Sequence, residues 1–340
     1  MNLASKTSVK LETRPEFSDS ETRCTTLMVN KQELTFPHCH VIANAPLATR
    51  TTWRIGGPAR WLVQPTSQTG LQHLWKNLPA DLPILLLGGG SNLLINDDGF
   101  DGIVVDLVSY LDNIKIIDTP THPDKSFFII EADAGVSTRA LAHFCRKQGI
   151  DGISFLAGIP GTLGGAVKMN AGAYGKEMVD VISELTLLDK SGNPHILIPS
   201  DLEMTYRSSQ IPAGWMVASV RLKLPPGNPE AIRNQIRILN KKRSSSQPLG
   251  YPSAGSTFKN PDQGPLAWQL IDQAGYRGKK VGQAQVSEKH SNFLINLGGC
   301  SAHDMMLLID QTRHAVAQST GFHLKLEVGI VDKIGLRTEN

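Results

Sequence analysis

The feature that most constrains the fold is a pair of glycine-dense segments in the first half of the chain. The first, GGGSN at 88–92, directly follows the apolar run PILLL at 83–87, which is typical of a buried strand that ends in a loop. The second, residues 158–175, holds six glycines and no sustained periodicity. Glycine lets the backbone approach other groups closely, because no Cβ intervenes. Two such loops predict a backbone that wraps closely on a ligand.

The first loop offers several backbone N–H groups to an anion, and a purely structural turn is an equal alternative. It is not a Rossmann fingerprint, because Leu93 stands where G-x-G-x-x-G needs its last glycine, and the chain contains no P-loop pattern. Two loops in one domain favour a long ligand with a central diphosphate, for which a dinucleotide is a natural candidate.

Apolar periodicity and turn residues predict a mixed arrangement of strands and helices. Strands are expected at 59–64, 83–87, 102–107, 127–131, 181–188, 293–296 and 324–331. Helices are expected at 67–76, 137–148, 229–243, 265–273 and 302–318.

At 340 residues the chain is long enough for two domains. The breaker cluster PPG at 225–227 marks the expected boundary. We therefore expect a loosely ordered extension over 1–45, a first domain of two subdomains over 46–225, and a second domain over 226–340.

Charge and cysteine content exclude several function classes. A net charge of +3 argues against a nucleic-acid partner. The cysteines, which form no Cys-x-x-Cys pair, and the histidines give no metal-site pattern. The N-terminal residues lack the apolar run of a signal peptide, and no apolar stretch is long enough to span a bilayer. We expect a cytoplasmic protein, a monomer without membrane partners or bound metal.

Five segments together resemble one enzyme family in sequence, order and spacing. These are TWRIGGPA at 52–59, LGGGSNLL at 87–94, IPGTLGGA at 159–166, NAGAYG at 170–175 and YRSS at 206–209. They are similar to the FAD domain of UDP-N-acetylenolpyruvoylglucosamine reductases, and the resemblance extends over about 50–333. Since the stretch from Pro226 to Pro252 is short, the chain resembles the members that lack an extra Tyr-bearing segment.

The resemblance implies an α+β protein. Its FAD-binding domain would be of the vanillyl-alcohol oxidase and p-cresol methylhydroxylase type, followed by a C-terminal α+β substrate domain. It implies noncovalent FAD, with NADPH as the hydride donor and an enolpyruvyl UDP-sugar as the small-molecule substrate, in peptidoglycan precursor synthesis. The implied cofactor contacts are Gly88, Gly89, Gly90, Ser91, Asn92, Gly161, Gly164, Gly165, Asn170 and Gly172. The implied substrate contacts are Tyr206, Lys259, Asn260, Gln285 and Lys289.

The same resemblance implies three catalytic residues, Arg207, Ser256 and Glu327. Hydride delivery to C3 of an enolpyruvyl ether leaves negative charge toward the carboxylate, which Arg207 would stabilise. The resulting C2 centre needs a proton, which the Ser256 hydroxyl would donate. Glu327 would polarise the carboxylate or relay protons.

Two alternatives stay open at this point. The glycine loops alone would also suit a noncovalent FAD-dependent alcohol oxidase of the same fold group. A nucleotide-sugar or FAD-binding protein without chemistry would keep the loops but would not need the three reacting residues.

Overall fold

A computed structural model describes residues 8–9, 25–29, 32–79, 82–108, 110–120 and 126–338. The strands are β1 (Ser8–Val9), β2 (Thr25–Val29), β3 (Gln32–Phe36), β4 (Cys39–Pro46), β5 (Pro58–Pro65), β6 (Ile84–Leu87), β7 (Leu93–Ile95), β8 (Phe100–Asp106), β9 (Ile114–Asp118), β10 (Phe128–Asp133), β11 (Gly172–Ala173), β12 (Lys176–Glu177), β13 (Ile182–Leu188), β14 (Pro194–Leu197), β15 (Met216–Leu224), β16 (Lys280–Val281), β17 (Ala284–Val286), β18 (Leu294–Asn296), β19 (Gly329–Val331) and β20 (Leu336–Arg337). The α-helices are α1 (Gln68–Lys76), α2 (Thr138–Lys147), α3 (Leu163–Lys168), α4 (Pro229–Ser246), α5 (Ala267–Gln273) and α6 (Ala302–Thr320).

The first sheet has the order β4-β5-β8-β6. Strand β4 is antiparallel to β5, whereas β5 and β6 both run parallel to β8. Ligands of such sheets bind beyond the carboxyl ends of parallel strands. The loop at 88–92 follows the carboxyl end of β6 directly, so the sheet delivers it to that edge.

Strand β4 corrects the expectation for the N-terminal extension. Residues 32–46, which were expected to be loosely ordered, form β3 and β4, and β4 is a full member of the first sheet. The reason is burial, because Phe36, Cys39 and Ala45 are almost completely buried. Most of residues 1–31 lies outside the described part.

The second sheet is antiparallel and has the order β1-β9-β10-β15-β13-β14. Its inner face buries Ile130, Leu185 and Val220 against α2 and α3. Helix α2 begins as expected, since the Ser137 hydroxyl accepts a hydrogen bond from the N–H of Ala140 at 3.1 Å. The sequence analysis did not predict β9, β14 or β15.

The C-terminal residues pack directly onto the first sheet region. Strand β19 pairs parallel with β7, between β7 and β20. Trp53 is fully buried within the C-terminal core, and its indole N–H donates to the Leu294 carbonyl at 2.8 Å. In return the Asn296 amide donates to the Trp53 carbonyl at 2.9 Å. The two parts of the chain therefore share one interface that is apolar and hydrogen-bonded.

The fold is α+β, with an FAD-binding domain followed by a smaller mixed domain. Strand β15 ends at Leu224 and helix α4 begins at Pro229, on either side of the breaker cluster. The expected strand at 324–331 is shorter, because only Gly329–Val331 joins a ladder. None of the described helices has the length and apolar character needed to cross a membrane.

Candidate active site

The two glycine loops contact each other, and this contact explains several of their glycines. A Cβ added to Gly89 would lie 2.7 Å from the Gly161 Cα, and one added to Gly88 would lie 2.4 Å from the Thr162 hydroxyl. Gly161 has φ +113°, a conformation that other residues rarely adopt. The Ser91 hydroxyl donates across the same contact to the Pro160 carbonyl at 3.1 Å. Glycine here brings two loop backbones to one surface.

Beside this contact lies a cavity of about 330 Å³, lined by residues 49–52, 87–89, Asp106 and Val108. Arg50 donates to the buried Asp106 carboxylate at 2.6 Å. The hydroxyl of Thr52 is buried without a hydrogen-bond partner in the protein. A cradle of unblocked backbone, an arginine and an unsatisfied hydroxyl fits the diphosphate and ribose groups of a dinucleotide such as FAD.

The sequence did not single out Arg50 or Asp106. Asp106 is the last residue of β8 and therefore lies at the carboxyl edge of the parallel strands. Its position after the run GIVV at 102–105 was the signal that could have identified it, because polar residues at that edge face ligands.

Gly164 and Gly165 lie in the first turn of α3, where the Thr162 hydroxyl accepts from the Gly165 N–H. A Cβ on Gly164 would lie 2.9 Å from the Ala134 Cβ, so this glycine serves helix packing. Asn170, five positions after Gly165, is completely buried.

The Asn170 side chain does not face the cavity. Its amide donates to Glu177 at 2.8 Å and to the Thr205 carbonyl at 3.0 Å, and its oxygen accepts from the Val179 N–H at 3.0 Å. Both amide hydrogens are therefore used inside the protein. The Asn170 side chain therefore shapes the second loop, and the expected contact between Asn170 and the cofactor stays a prediction.

Arg207 and Glu327 form the centre of the site. The Arg207 Nε donates to a Glu327 carboxylate oxygen at 2.8 Å, and both side chains are largely buried. Another guanidinium nitrogen donates to the Gly172 carbonyl at 3.2 Å, in the second glycine loop. The sequence placed these residues 120 positions apart, and the fold brings them into direct contact.

A tight turn presents Arg207. The backbones of Thr205 and Ser208 exchange hydrogen bonds, at 3.0 and 3.1 Å, which leaves Tyr206 and Arg207 at the tip. Arg207 has φ +54°, a left-handed conformation that costs a residue with a Cβ about 1–2 kcal/mol. The rest of the fold imposes this strained conformation, and such strain clusters at functional sites. The guanidinium also lies 4.9 Å from the centroid of the Tyr206 ring.

Burial raises the pKa of the Glu327 carboxyl, and the neighbouring Arg207 and Lys259 charges oppose that rise. The backbone of Glu327 is held on two sides. Its N–H donates to the Thr257 carbonyl at 2.9 Å, and its carbonyl accepts from the Asn92 amide at 3.0 Å. Glu327 therefore lies between the first glycine loop and the segment that carries Ser256.

Ser256 is half-buried in the segment SAGSTFKN at 253–260. The following residues are anchored by Asn292, whose oxygen accepts from the Phe258 N–H at 3.0 Å and whose amide donates to the Phe258 carbonyl at 2.9 Å. Phe258 is fully buried. These contacts fix the backbone on the C-terminal side of Ser256, where the Thr257 carbonyl accepts from the Glu327 N–H.

Two expected substrate residues join this group. The Asn260 amide donates to the Tyr206 hydroxyl at 3.3 Å, and the Asn260 oxygen accepts from the Ala267 N–H at 3.0 Å. The Tyr206 ring is exposed. Lys259 directly precedes Asn260 in the chain, and its charge acts on the Glu327 carboxyl.

Gln285 and Lys289, the other two expected substrate residues, are hydrogen-bonded to backbone carbonyls. Gln285 is buried in β17, and its amide donates to the Gly278 carbonyl at 3.2 Å. The Lys289 ammonium donates to the Ser244 carbonyl near the end of α4. Both side chains thus make hydrogen bonds within the C-terminal domain, and their expected contact with the substrate stays a prediction.

Fold and site together define the class of the protein, a flavin-dependent oxidoreductase in which an FAD-binding domain meets a substrate domain. Residues 59–197 match the family described as "FAD binding domain", and residues 247–331 match "UDP-N-acetylenolpyruvoylglucosamine reductase, C-terminal domain". The chain belongs to the UDP-N-acetylenolpyruvoylglucosamine reductase family.

Relatives across the whole length support this assignment. A UDP-N-acetylenolpyruvoylglucosamine reductase of Magnetococcus marinus is 49% identical over 299 residues, which is 88% of this chain and 94% of the relative. One of Paramagnetospirillum magneticum is 40% identical over 87% of this chain and 92% of the relative. The crystal structure of the Thermus caldophilus reductase is 32% identical with a TM-score of 0.71, covering 86% of this chain and 98% of that one.

Proposed function

We propose that the chain reduces the enolpyruvyl group of UDP-N-acetylglucosamine enolpyruvate to give UDP-N-acetylmuramate, with Arg207, Ser256 and Glu327 as its reacting residues. The observation that carries this proposal is the direct Arg207–Glu327 contact beside the Ser256 segment and against both glycine loops. FAD, when bound, supplies the hydride, which it receives from NADPH.

Arg207 binds the substrate carboxylate and stabilises the charge that develops on it. A guanidinium has five N–H donors, and Glu327 and Gly172 each take one of them. The remaining N–H groups suit a carboxylate, which accepts two parallel hydrogen bonds. Because the turn fixes Arg207 in place, the charge is stabilised without reorganisation of the side chain.

Ser256 donates the proton to C2 after the hydride has reached C3. The hydroxyl is a weak acid, but it can act here because the carbon that accepts the proton is strongly basic. One C–H bond then forms at each carbon, the double bond is lost, and Ser256 recovers its proton from solvent.

Glu327 orients Arg207 and, in its protonated form, shares a proton with the substrate carboxylate. Its raised pKa supports this role, since burial favours the neutral acid. Lys259, Asn260 and Tyr206 are proposed to contact the sugar nucleotide beside it.

The cofactor is held without a covalent bond. Backbone groups of Gly88, Gly89, Gly90, Ser91 and Gly161 are proposed to line its diphosphate, with Gly164, Gly165 and Gly172 setting the shape of the second loop. No histidine lies in residues 86–95 or 157–176 to attach a flavin covalently.

The experiment is to follow NADPH oxidation by the purified protein with and without the enolpyruvyl UDP-sugar. Substrate-dependent NADPH loss with formation of the lactyl ether supports the proposal. Oxygen consumption with alcohols and no such reduction would favour the alcohol oxidase alternative. A yellow protein that binds the sugar nucleotide without turnover would favour the non-catalytic alternative.

We also propose that the enzyme acts in the cytoplasm as a monomer, without a nucleic-acid partner. The described cysteines Cys39, Cys145 and Cys300 are free thiols, as is usual in a reducing compartment. Light scattering after size exclusion tests the monomer, because a 37.0 kDa species is expected and a species of twice that mass would refute it.

A further inference from the structure

Asn92 connects the first glycine loop to the acid of the reacting group. Its side-chain amide donates to the Glu327 carbonyl at 3.0 Å, and its own carbonyl accepts from the Gly329 N–H at 2.9 Å. The parallel pairing of β7 with β19 begins at the next residue, Leu93, opposite Gly329. Asn92 is therefore hydrogen-bonded to the backbone of Glu327 and of Gly329, the two residues that flank Val328.

The side chain of Asn92 has little left to offer a cofactor. One amide hydrogen faces the Glu327 carbonyl, and the amide nitrogen also lies 3.5 Å from the Met169 sulfur. Only the amide oxygen remains, and an oxygen acceptor does not bind the anionic diphosphate of FAD. The donors of the Asn92 side chain are therefore used on the Glu327 carbonyl and the Met169 sulfur.

We propose that Asn92 is a positioning residue, which holds Glu327 against Arg207 at the edge of the first glycine loop, and that its side chain is not a ligand of FAD. This inference rests on the proposed function. The backbone of Glu327 is then clamped between Asn92 in one domain and Thr257, the neighbour of Ser256, in the other. Hydrogen bonds thus join the first glycine loop, Glu327 and the segment that carries Ser256.

Loss of the clamp has a defined electrostatic consequence. The groups whose charges act on the Glu327 carboxyl are Arg207 and Lys259, and both lower its pKa against the effect of burial. If Glu327 moves away from Arg207, burial dominates and the pKa rises further. A misplacement of about 1 Å in a reacting group costs roughly 100-fold in rate.

Asn296 provides a matched control. Its amide also donates to a backbone carbonyl across the interface between the two domains, that of Trp53 at 2.9 Å, and it is buried. Asn296→Ala therefore weakens the same interface without touching Glu327.

The experiment compares Asn92→Ala, Asn296→Ala and the parent in FAD affinity, kcat, KM and the pH profile of kcat. For Asn92→Ala we expect FAD affinity within about twofold of the parent, kcat lower by about 10- to 100-fold, and a Glu327-dependent limb displaced to higher pH. Asn296→Ala should keep the parent's kcat and profile despite a lower melting temperature. If Asn92→Ala does not fold, Asn92→Ser removes the amide with less loss of polarity and is measured instead.

Three results would overturn the inference: an unchanged kcat and pH profile for the Asn92 variant, a loss of FAD affinity as large as the loss of kcat, or the same pH displacement in Asn296→Ala. A parent enzyme that binds FAD but does not reduce the enolpyruvyl substrate would refute the proposed function instead. The FAD affinities are measured by quenching of flavin fluorescence and need no turnover.

Discussion

At the scale of single residues, the site depends on three groups whose ordinary roles would be structural. Arg, Ser and Glu are common surface residues, and the proposal that these three react depends on their lying close together. In the structure the Arg207 Nε donates to the Glu327 carboxylate at 2.8 Å. The Glu327 N–H donates to the carbonyl of Thr257, the residue after Ser256.

For Ser256→Ala we expect retained FAD affinity and a turnover lower by about 10²–10⁴-fold, because the proton donor to C2 is lost. The measurement is steady-state NADPH oxidation with saturating substrate. Ser253→Ala, three positions earlier in the same segment, is the control and should keep the parent's turnover. Equal turnover for Ser256→Ala and the parent would remove Ser256 from the mechanism.

Arg207→Lys is expected to lower kcat by a similar factor although the charge is kept. A lysine ammonium cannot reproduce the planar fork that binds Glu327, Gly172 and a carboxylate together. Arg221→Lys serves as control, since Arg221 binds Glu131 and Glu184 on the second sheet. Unaltered turnover in Arg207→Lys would rule out the fork geometry.

Glu327 should also make stability depend on pH. Its pKa in the folded protein is raised, so the folded state binds more protons, and the parent loses stability as pH rises from the ordinary glutamate pKa through the raised value. Glu327→Gln cannot ionise and lacks that loss. The melting temperature of Glu327→Gln minus that of the parent should increase as pH rises across this window. A difference that does not change with pH would contradict the raised pKa.

At the scale of elements, the sequence predicted the glycine loops and the Ser-capped start of α2. These rest on local rules of backbone freedom and capping. It did not predict that Asn170 and Gln285 turn inward, because their partners, such as Thr205 and Gly278, are set by tertiary packing. Strand β4 was also missed, since its burial depends on the neighbouring sheet.

The contact between the glycine loops yields a direct test. For Gly89→Ala we expect FAD affinity to fall by at least about tenfold, roughly 1.4 kcal/mol, because the new Cβ would lie 2.7 Å from the Gly161 Cα and force the loops apart. Flavin fluorescence titration measures this change. Gly335→Ala is the control, because no atom lies within 4 Å of the Cβ position there. Equal FAD affinities for the two variants would contradict the claim that the contact between the glycine loops shapes the FAD site.

At the scale of the whole molecule, the two domains are joined by pairing and by burial. Strand β19 enters the sheet of β7, and Trp53 is buried in the C-terminal core. The proposed reacting residues come from both sides of this interface, so the proposed site is complete only when the domains are docked. Sequence patterns predicted both domains but not this pairing, because β7 and β19 are three-residue strands far apart in the chain.

The central claim is that flavin bound in the glycine-loop cradle passes reducing equivalents to an enolpyruvyl UDP-sugar. The most direct measurement is the anaerobic absorption spectrum of the purified protein through two additions. NADPH should bleach the flavin band, and the enolpyruvyl UDP-sugar should then restore it, fast in the parent and slowly in Ser256→Ala. A flavin band that NADPH bleaches and the UDP-sugar leaves bleached in the parent would contradict the account.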